Sequence, residues 1–188
     1  MHNMKQGLRI SKTKAQIEDA FLDLLSQEEY SKIRIIDIAN KALVNRNTIY
    51  LYYQSKEGIV RSIVARCFQD RFKNTDVESF FNIKSRKDVE EFFFKMFDVL
   101  NENIEVFHLL ISDTNLTGYM LNALKQFRSL MFKNLKDTTE NEIIFDYTIN
   151  GIFGAIQKWF TYSSGSVSNN VKILTDLTIT CYRRMEFI

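Results

Sequence analysis

The chain has 188 residues, 45% of them hydrophobic, and a formal net charge of +2. A chain of this length can bury a sizeable core in one or two domains. No window contains enough consecutive apolar residues for a transmembrane helix, and the N-terminus lacks the apolar core of a signal peptide, so we expect a cytoplasmic protein with no membrane partner. The distant Cys67 and Cys181 favour buried, reduced thiols over a metal site, with redox sensing as the alternative.

The composition also indicates the fold class. The sequence contains no proline and only six glycines, and no segment alternates apolar and polar residues over the length of a strand. We therefore expect an all-α protein with about nine helices. Residues 1–66 carry 11 Lys and Arg against 7 Asp and Glu, a net charge of +4, whereas residues 67–188 carry 14 against 16, a net charge of −2. The basic N-terminal part is therefore the part that suits a polyanion.

The first predicted helix extends from Ser11, as its N-cap, to about Gln27. Its apolar stripe has the spacing of a helix that packs on one face and consists of Ile17, Phe21, Leu24 and Leu25. The polar residues 1–10 are expected to be frayed. An N-terminal arm that follows a phosphate chain would use the basic residues Lys5, Arg9, Lys12 and Lys14.

Two short helices joined by a tight turn are predicted next. The first covers residues 35–41, where the apolar residues with helical spacing are Ile35, Ile38 and Ala39. The second follows Asn45, whose side-chain oxygen can accept a hydrogen bond from an amide of the first turn. Together with the first helix, this layout is that of a three-helix, helix-turn-helix DNA-binding domain.

The second helix of this pair has a face that suits an anion. Ile49 and Tyr53 are expected to face the core, which leaves a set of donors with no carboxylate outside: Arg46, Asn47, Thr48, Tyr50 and Tyr52. In a helix-turn-helix the second helix lies in the major groove of DNA, where Arg pairs with guanine, Asn with adenine, and Thr offers a hydroxyl or a methyl group. The pattern therefore predicts a DNA-binding surface.

Residues 44–57, VNRNTIYLYYQSKE, resemble the signature of the TetR family of bacterial transcriptional regulators, G-V-S-x-x-x-[LI]-Y-x-[YH]-F-x-[SG]-K-[ED]. Tyr50 stands at the tyrosine of the family, and residues 56–57 (Lys-Glu) at the pair that opens its next helix. The Ile-Ala pair of the preceding helix is present at residues 38–39. This resemblance covers about the first third of the chain. The C-terminal segment GAIQKWFTYSSG is also similar to regulators of the dihydroxyacetone-kinase branch.

The resemblance implies a role for each matching position. Residues 46–48 are expected to face bases, the two exposed tyrosines to contact phosphates or sugars, and Lys56 to contact the DNA backbone. The alternatives are packing between helices for Tyr50 and a solvated surface charge for Lys56, whereas Tyr53 is expected to lie in the core. With the cap and one residue of the preceding helix, the predicted DNA-binding set is Ile36, Asn45, Arg46, Asn47, Thr48, Tyr50, Tyr52 and Lys56.

Three positions depart from the family pattern. Leu43 replaces the glycine of the turn, so either the turn avoids a positive φ or Leu43 is strained. Arg34 replaces a Thr or Ser cap and has no acceptor to offer, which leaves Ser31 or a looser helix start. Ile36 replaces a polar or basic residue that points towards DNA, and we expect it to contact a thymine methyl group or a sugar if it contacts DNA.

Residues 1–54 are assigned to the helix-turn-helix domain and residues 55–188 to a helical domain for effector binding and dimerisation. A helix from residue 55 to about 73 is expected to link them. Further helices are predicted at residues 88–100, 116–135, 140–162 and 167–185, with a short apolar segment around Phe107. Residues 163–166, Ser-Ser-Gly-Ser, suit a helix end and the next helix start.

The penultimate predicted helix has a smooth face on which Gly151, Gly154 and Ala155 follow one another at i, i+3 and i+4. Such a face lets another helix approach closely. With Phe160 nearby, we predict that this helix and the last one form a four-helix dimer interface with their symmetry mates, as the resemblance implies. The alternative is a helix crossing within one chain. A recognition helix usually needs a partner one DNA turn away, which favours the dimer.

Aromatic and methionine side chains are concentrated in residues 55–188. A pocket lined by them would suit a lipophilic, planar or cationic compound. The candidate ligand contacts are Phe97, Phe107, Phe127, Met131 and Trp159, and ordinary core packing is the alternative for each. His108 is expected to be an interior histidine and not a metal ligand.

The resemblance implies ligand-controlled regulation. A homodimer would bind a palindromic operator in double-stranded DNA as a repressor, and a small-molecule effector of unknown identity would release it, with no cofactor. Some relatives activate, so the sign of regulation stays open. An enzyme is disfavoured because the G-x-S-x-G, H-E-x-x-H and P-loop motifs are missing, and no catalytic residue is predicted. The alternative is a helical co-activator or protein-interaction adaptor of TetR-like fold that no longer binds DNA.

Overall fold

The computed structural model describes residues 2–72, 85–126, 135–162 and 166–186. Over these ranges the protein is all-α, as predicted, with nine helices and no strand. The helices are α1 (His2–Leu25), α2 (Ile35–Lys41), α3 (Arg46–Tyr53), α4 (Lys56–Phe72), α5 (Arg86–Glu102), α6 (Ile104–Ser112), α7 (Thr114–Gln126), α8 (Thr139–Tyr162) and α9 (Val167–Tyr182).

The first helix begins earlier than the sequence pattern predicted. Ser11 lies inside α1, so it is not an N-cap, and residues 2–10 are helical instead of frayed. This segment contains no proline, and its Lys, Gln and Arg residues lose little side-chain freedom in a helix. The Thr13 hydroxyl donates to the carbonyl of Arg9 at 3.0 Å, a bond within the helix itself. The hydroxyl residues around Ser11 therefore lie within a continuous helix and do not start one.

One hydrophobic core joins α1 to α4 and contains the helix-turn-helix. Its most deeply buried side chains are Ile17, Phe21, Ile33, Ile38, Ile49, Ile59, Ile63, Leu110 and Leu116. The last two belong to α6 and α7. The core of the N-terminal part thus extends past residue 54, where the predicted domain boundary lies, into α4 and onto the next two helices.

A glycine allows α4 to start directly against the end of α3. A Cβ atom on Gly58 would overlap the backbone carbonyl oxygen of Tyr53. Gly58 is itself buried, and the neighbouring side chains Ile59 and Val60 are in the core. Only glycine fits this contact without a backbone shift.

A second core lies between α5, α6, α8 and α9 and is rich in aromatic residues. Its buried side chains are Val89, Phe93, Met96, Phe97, Val99, Leu100, Phe107, Ile111, Ile156, Val171 and Leu174. A smaller cluster holds the C-terminal segment, where the buried Asn141 side chain donates to the carbonyls of Lys136 and Glu186 and accepts from the Glu186 amide, each at 2.9 Å. These bonds hold the start of α8 against the segment that follows α9.

The described ranges contain no group of three or more His, Cys, Asp or Glu side chains that could hold a metal ion. Nor does any helix in these ranges combine the length and the apolar character needed to cross a bilayer. Cys67 and Cys181 are unbridged and half-buried. Burial raises the pKa of the Cys67 thiol, which disfavours its reactive thiolate form.

Candidate nucleic-acid interface

The start of α2 is fixed by Asp37. Arg34, the N-cap, offers no side-chain acceptor, as its chemistry predicted. Instead, Asp37 accepts the backbone N–H of Arg34 at 3.0 Å and takes two bonds from its guanidinium at 2.9 Å. The hydrogen-bonded guanidinium lowers the pKa of Asp37. Asp37 therefore does the work that the sequence analysis left to Ser31 or to a looser helix start.

Two strained residues flank α3. Leu43 has φ 55° and Gln54 has φ 63°, and they are the non-glycine residues with positive φ in the described ranges. The turn thus keeps the left-handed conformation that a glycine would adopt freely, so the second of our two expectations for Leu43 is confirmed. Its side chain is 92% exposed, and packing therefore compensates little of the strain.

The N-terminus of α3 is capped as predicted. The Asn45 side-chain oxygen accepts the backbone N–H of Asn47 at 2.9 Å, and Asn45 has the extended backbone of an N-cap residue. This bond leaves the side-chain NH₂ of Asn45 available as a donor. The first turn of α3 therefore presents a donor-rich, capped helix end to the outside.

The predicted DNA-contacting residues lie on the outer side of the helix-turn-helix. Arg46, Asn47 and Tyr50 are exposed, Thr48 and Tyr52 are half-buried, and Ile36 is 41% exposed. The Arg46 guanidinium lies over the Tyr50 ring, 5.8 Å from its centroid, so the Tyr50 ring lies on the surface and not between helices. Ile49 and Tyr53 face the core, as expected.

Leu51 also lies on this surface, although it was not among the predicted DNA contacts. Leu51 is 76% exposed and lies four residues after Asn47, so both side chains occupy the same side of α3. It stands at a variable position of the family signature, which gave no reason to single it out. The sequence did contain one signal for an exposed position, because Leu51 does not share the side of the helix on which Ile49 and Tyr53 face the core.

A buried carboxylate holds the recognition helix in place. Glu18 of α1 is 3% exposed and accepts the hydroxyls of Tyr53 at 3.1 Å and Ser62 at 2.7 Å. Its other oxygen pairs with Arg66 at 2.9 Å. Burial and the Glu18 charge raise the pKa of Tyr53. This network ties α1, α3 and α4 together, and it fixes the angle at which α3 is presented.

Lys56 is bonded within the protein. Its ammonium donates to the backbone carbonyls of Tyr30 at 2.8 Å and Ile33 at 2.6 Å and lies 4.1 Å from the centroid of the Tyr30 ring. Burial lowers the pKa of Lys56. Two of its three protons are thus used to hold the segment before α2, so it is not the solvated surface charge of the alternative interpretation.

The segment before α2 is also bonded to the junction of α6 and α7. Asp113 accepts the backbone N–H of Tyr30 at 2.8 Å with one oxygen and caps α7 with the other, at 2.9 Å from the Asn115 amide. The Tyr30 hydroxyl donates to Glu57 at 2.6 Å, which lowers the pKa of Glu57. The helix-turn-helix and the C-terminal helices are thus connected by directional bonds.

The small residues of α8 lie on the surface of the protomer. Gly151, Gly154 and Ala155 are exposed, and a Cβ atom on either glycine would meet nothing within 4 Å outside the helix itself. Phe160, which we assigned to the same interface, lies on the other side, where its ring contacts those of Trp159 and Phe107. Its half-buried ring packs against the aromatic core, and its place in a dimer interface stays a prediction.

Three of the predicted ligand contacts belong to the aromatic core. Phe97 and Phe107 are 1% and 2% exposed, and Trp159 is half-buried with its ring edge-on to Phe97 at 5.3 Å. Phe127 and Met131 lie outside the described residues. The expectation of an interior His108 is wrong, because its side chain is exposed and faces an open groove lined by Leu25, Ser26, Gln27, Glu28, Glu29, Lys32, His108, Leu109, Ser112 and Asp113.

The fold and this surface define the class, a helical protein whose N-terminal helices form a capped helix-turn-helix with an exposed donor face. Residues 17–63 match the family model of bacterial regulatory proteins, tetR family. The chain shares its fold with a TetR transcriptional regulator from Streptococcus agalactiae 2603V, at a TM-score of 0.58 and 20% identity over 93% of this chain and 98% of that chain. The helix-turn-helix part of the chain therefore matches the TetR family, and the chain shares its overall fold with a TetR-family regulator.

Two curated relatives match as well. The chain is 22% identical over 145 residues to the uncharacterized HTH-type transcriptional regulator YxbF of Bacillus subtilis, with 77% of this chain and 38% of that protein covered. It is 28% identical over 113 residues to DhaS of Lactococcus lactis, the HTH-type dhaKLM operon transcriptional activator, with 57% and 59% covered. The match thus spans less than two thirds of the length of either relative.

Proposed function

We propose that this chain is a DNA-binding transcriptional regulator, and specifically a homodimeric repressor that a small molecule releases from a palindromic operator. The observation that carries the proposal is the outer face of α3. It presents Arg46, Asn47 and Tyr50 to solvent with no carboxylate among them, next to a capped helix N-terminus whose dipole favours phosphate. These donors match base edges and backbone oxygens in a major groove.

The comparisons support a regulator over an enzyme. The curated relatives carry the names of transcriptional regulators, and the matching family model consists of regulatory proteins. DhaS is named an activator, so the sign of regulation needs its own test. A promoter fused to the operator should be silenced by this protein in cells, and transcription that rises with the protein would replace repression by activation.

DNA binding is tested by selecting bound sequences from random duplex DNA with the purified protein at near-physiological salt. We expect a palindrome to be enriched by the wild type and by Asn101→Ala, which removes an exposed asparagine from α5. Arg46→Ala and Asn47→Ala should each lose enrichment at one base position of each half-site. If the wild type enriches no sequence, the adaptor function replaces this proposal.

The dimer proposal rests on an uncovered stripe along α8 and α9. Large apolar side chains on these helices remain exposed, namely Ile143, Tyr147, Tyr162, Ile173 and Leu177. The two open glycines lie on the same side as Ile143 and Tyr147, since all four have helical spacing. A stripe of this kind is suited to a second copy of the same two helices, because a two-fold axis pairs identical surfaces.

Gly154→Glu tests the dimer, and Gly118→Glu is its matched control. Both glycines are exposed helical residues, and an added Cβ atom would meet nothing within 4 Å at either of them, so the gain in helix propensity is the same. Only Gly154→Glu places two like charges on a two-fold axis. We expect sedimentation to show monomers for Gly154→Glu and dimers for the control. If both variants stay dimeric, the interface lies elsewhere.

We propose that an effector acts on the DNA-binding part through the Tyr30–Asp113 bond. This bond links the segment before α2 to the cap of α7, so a displacement of α6 or α7 by a ligand moves the helix-turn-helix. Among the aromatic residues proposed to line the ligand site, Trp159 is half-buried, whereas Phe97 and Phe107 are almost fully buried. We take the effector to be a lipophilic compound with affinity for aromatic rings.

The effector proposal can be tested by fluorescence, because Trp159 is the only tryptophan of the chain. A lipophilic aromatic cation such as tetraphenylphosphonium should change its emission and saturate. By linkage, operator DNA should weaken that binding by the same factor by which the cation weakens DNA binding. Unequal factors, or saturation with no effect on DNA binding, would contradict an effector site coupled to the helix-turn-helix.

A further inference from the structure

The outer face of α3 carries an amide side chain that can pair with adenine and, beside it, a large apolar side chain. The Asn47 amide and the Leu51 side chain project from the same side of the helix, one turn apart. Leu51 is 76% exposed, although the helix has two buried positions, Ile49 and Tyr53, that take its apolar side chains. Leu51 is therefore left largely uncovered by the part of the protomer that the structure describes.

We propose that Leu51 determines operator specificity by contacting the C5-methyl group of a thymine, next to an adenine bound by Asn47. The inference rests on the proposed DNA binding and adds what the half-site must contain. A leucine side chain has no donor or acceptor, so its favourable partners on DNA are apolar, either the carbons of a sugar or the methyl group of a thymine. In the major groove, the thymine methyl group is the apolar feature that a leucine can bury.

Helix geometry places the two bases relative to each other. Residues four apart are separated by about 6 Å along the helix axis, and successive base pairs by about 3.4 Å. If α3 lies along the groove, the thymine is one or two base pairs from the adenine. Asn47 pairs with adenine through two hydrogen bonds, so the half-site contains an adenine and a thymine within this distance.

Charge supports an apolar contact at this position. Arg46 lies over the Tyr50 ring, and these two residues are one position, or about 100° around the helix, away from Asn47 and Leu51. The Asn45 oxygen is used by its cap bond to the Asn47 amide. The cationic and capping groups are thus offset from the line that joins Asn47 and Leu51.

The experiment uses the operator recovered by selection and the full-length protein. Each thymine of a half-site is replaced in turn by deoxyuridine, which lacks only the methyl group. The adenine that Asn47 contacts is identified as the base that Asn47→Ala no longer discriminates. For the wild type, we expect deoxyuridine at one thymine, one or two base pairs from that adenine, to weaken binding about three- to tenfold. For Leu51→Ala the same substitution should change affinity by less than about 1.5-fold, because the methyl group has lost its partner.

Ile104→Ala is the matched control, since Ile104 is an exposed aliphatic residue (49%) at the start of α6, and it should keep the full deoxyuridine penalty. A merely structural role of Leu51 would lower affinity for thymine and deoxyuridine duplexes equally. Equal penalties in the wild type and Leu51→Ala at every thymine would therefore overturn the inference while leaving DNA binding intact. A wild type that selects no operator would overturn both proposals.

Discussion

Both parts of the molecule have an apolar core, but the core around α3 is supplemented by buried directional bonds, whereas the core around α5 and α9 packs aromatic rings edge to face. Around α3, Glu18 bonds three side chains and Lys56 holds two carbonyls. Around α5 and α9, rings meet edge to face, as Phe97 does with Trp159. A directional bond needs one residue type at one position, but a packed core needs mainly the right volume. This explains why a short signature can describe the first part and not the second.

Glu18→Ala tests the buried directional bonds of the N-terminal part, and it should have the largest effect on stability. The substitution removes the buried acceptor of the Tyr53 and Ser62 hydroxyls and leaves Arg66 with only its longer contact to Asp19, at 3.8 Å. The free energy of unfolding should therefore fall by about 3 kcal/mol. The measurement is urea denaturation followed by circular dichroism. Asp19→Ala, on the exposed side of the same helix, should change it by less than about 0.5 kcal/mol. Equal losses would show that Glu18 is no more than a surface charge.

The second test concerns the contact between α3 and α4. In Gly58→Ala the new methyl group overlaps the carbonyl oxygen of Tyr53, so we expect a loss of about 2 kcal/mol in the free energy of unfolding. Gly118→Ala is the control, because its added atom meets nothing within 4 Å and should stabilise α7 by up to about 1 kcal/mol. In thermal denaturation, the melting temperature should fall for Gly58→Ala and rise for Gly118→Ala. A neutral Gly58→Ala would mean that α4 is not tightly seated.

Tyr30→Phe tests the role of the Glu57 carboxylate through the pH dependence of stability. The hydrogen bond from Tyr30 lowers the pKa of Glu57 in the folded protein below the ordinary glutamate value of 4.5. The ionised Glu57 therefore stabilises the fold above its unfolded pKa, and that contribution disappears as the pH falls through the lowered folded value. At pH 7 we expect Tyr30→Phe to be less stable than the wild type by about 1 kcal/mol.

The difference between Tyr30→Phe and the wild type should shrink as the pH falls below about 4. It is measured by urea denaturation at pH 7, at about pH 5 and at about pH 3.5, which bracket the carboxylate titration. Tyr119→Phe is the control, because the Tyr119 hydroxyl donates to the backbone carbonyl of Glu57, at 3.4 Å, and not to its carboxylate. Its deficit should not depend on pH. Parallel pH profiles for the two variants would contradict the assigned role of the carboxylate.

The smallest expected effect is a gain. Leu43→Gly removes a side chain that is 92% exposed and relieves a backbone at φ 55°, so stability should rise by about 1 kcal/mol. Leu43→Ala removes the side chain but keeps the strain, and it should leave stability nearly unchanged. Differential scanning calorimetry of the two variants separates the effect of the backbone strain from the effect of the exposed side chain. If alanine stabilises as much as glycine, then exposure and not backbone strain is the cost of Leu43.

The sequence predicted what depends on local chemistry. The Asn45 cap, the inward Ile49 and Tyr53 and the exposed Arg46 follow from neighbours in the chain, and the structure confirms their positions. Ser11 failed as a cap because no proline precedes it and the helix continues through the residues before it. His108 was misplaced because helix rotation in the C-terminal part depends on long-range packing, which composition does not specify.

The networks that hold the site could not be predicted at all. Glu18 is one carboxylate beside an apolar stripe, and its partners lie 35 to 48 positions further along the chain. The same applies to Asp113, whose partner Tyr30 is 83 positions away. Residues this far apart in a single sequence carry no pairwise signal. Leu51 was missed for a different reason. An exposed leucine indicates a DNA contact only when it is known to lie on the outer face of the recognition helix.

The outer face of α3 is proposed to contact bases, and operator affinity measured over a series of salt concentrations tests this contact. We expect Asn47→Ala to weaken binding about 5- to 150-fold at each salt concentration. The slope of log affinity against log salt should match the wild type, because asparagine neutralises no phosphate. Asn101→Ala should bind like the wild type. If Asn47→Ala binds the operator as tightly as Asn101→Ala, then Asn47 contacts no base, which would contradict the proposed role of the outer face of α3.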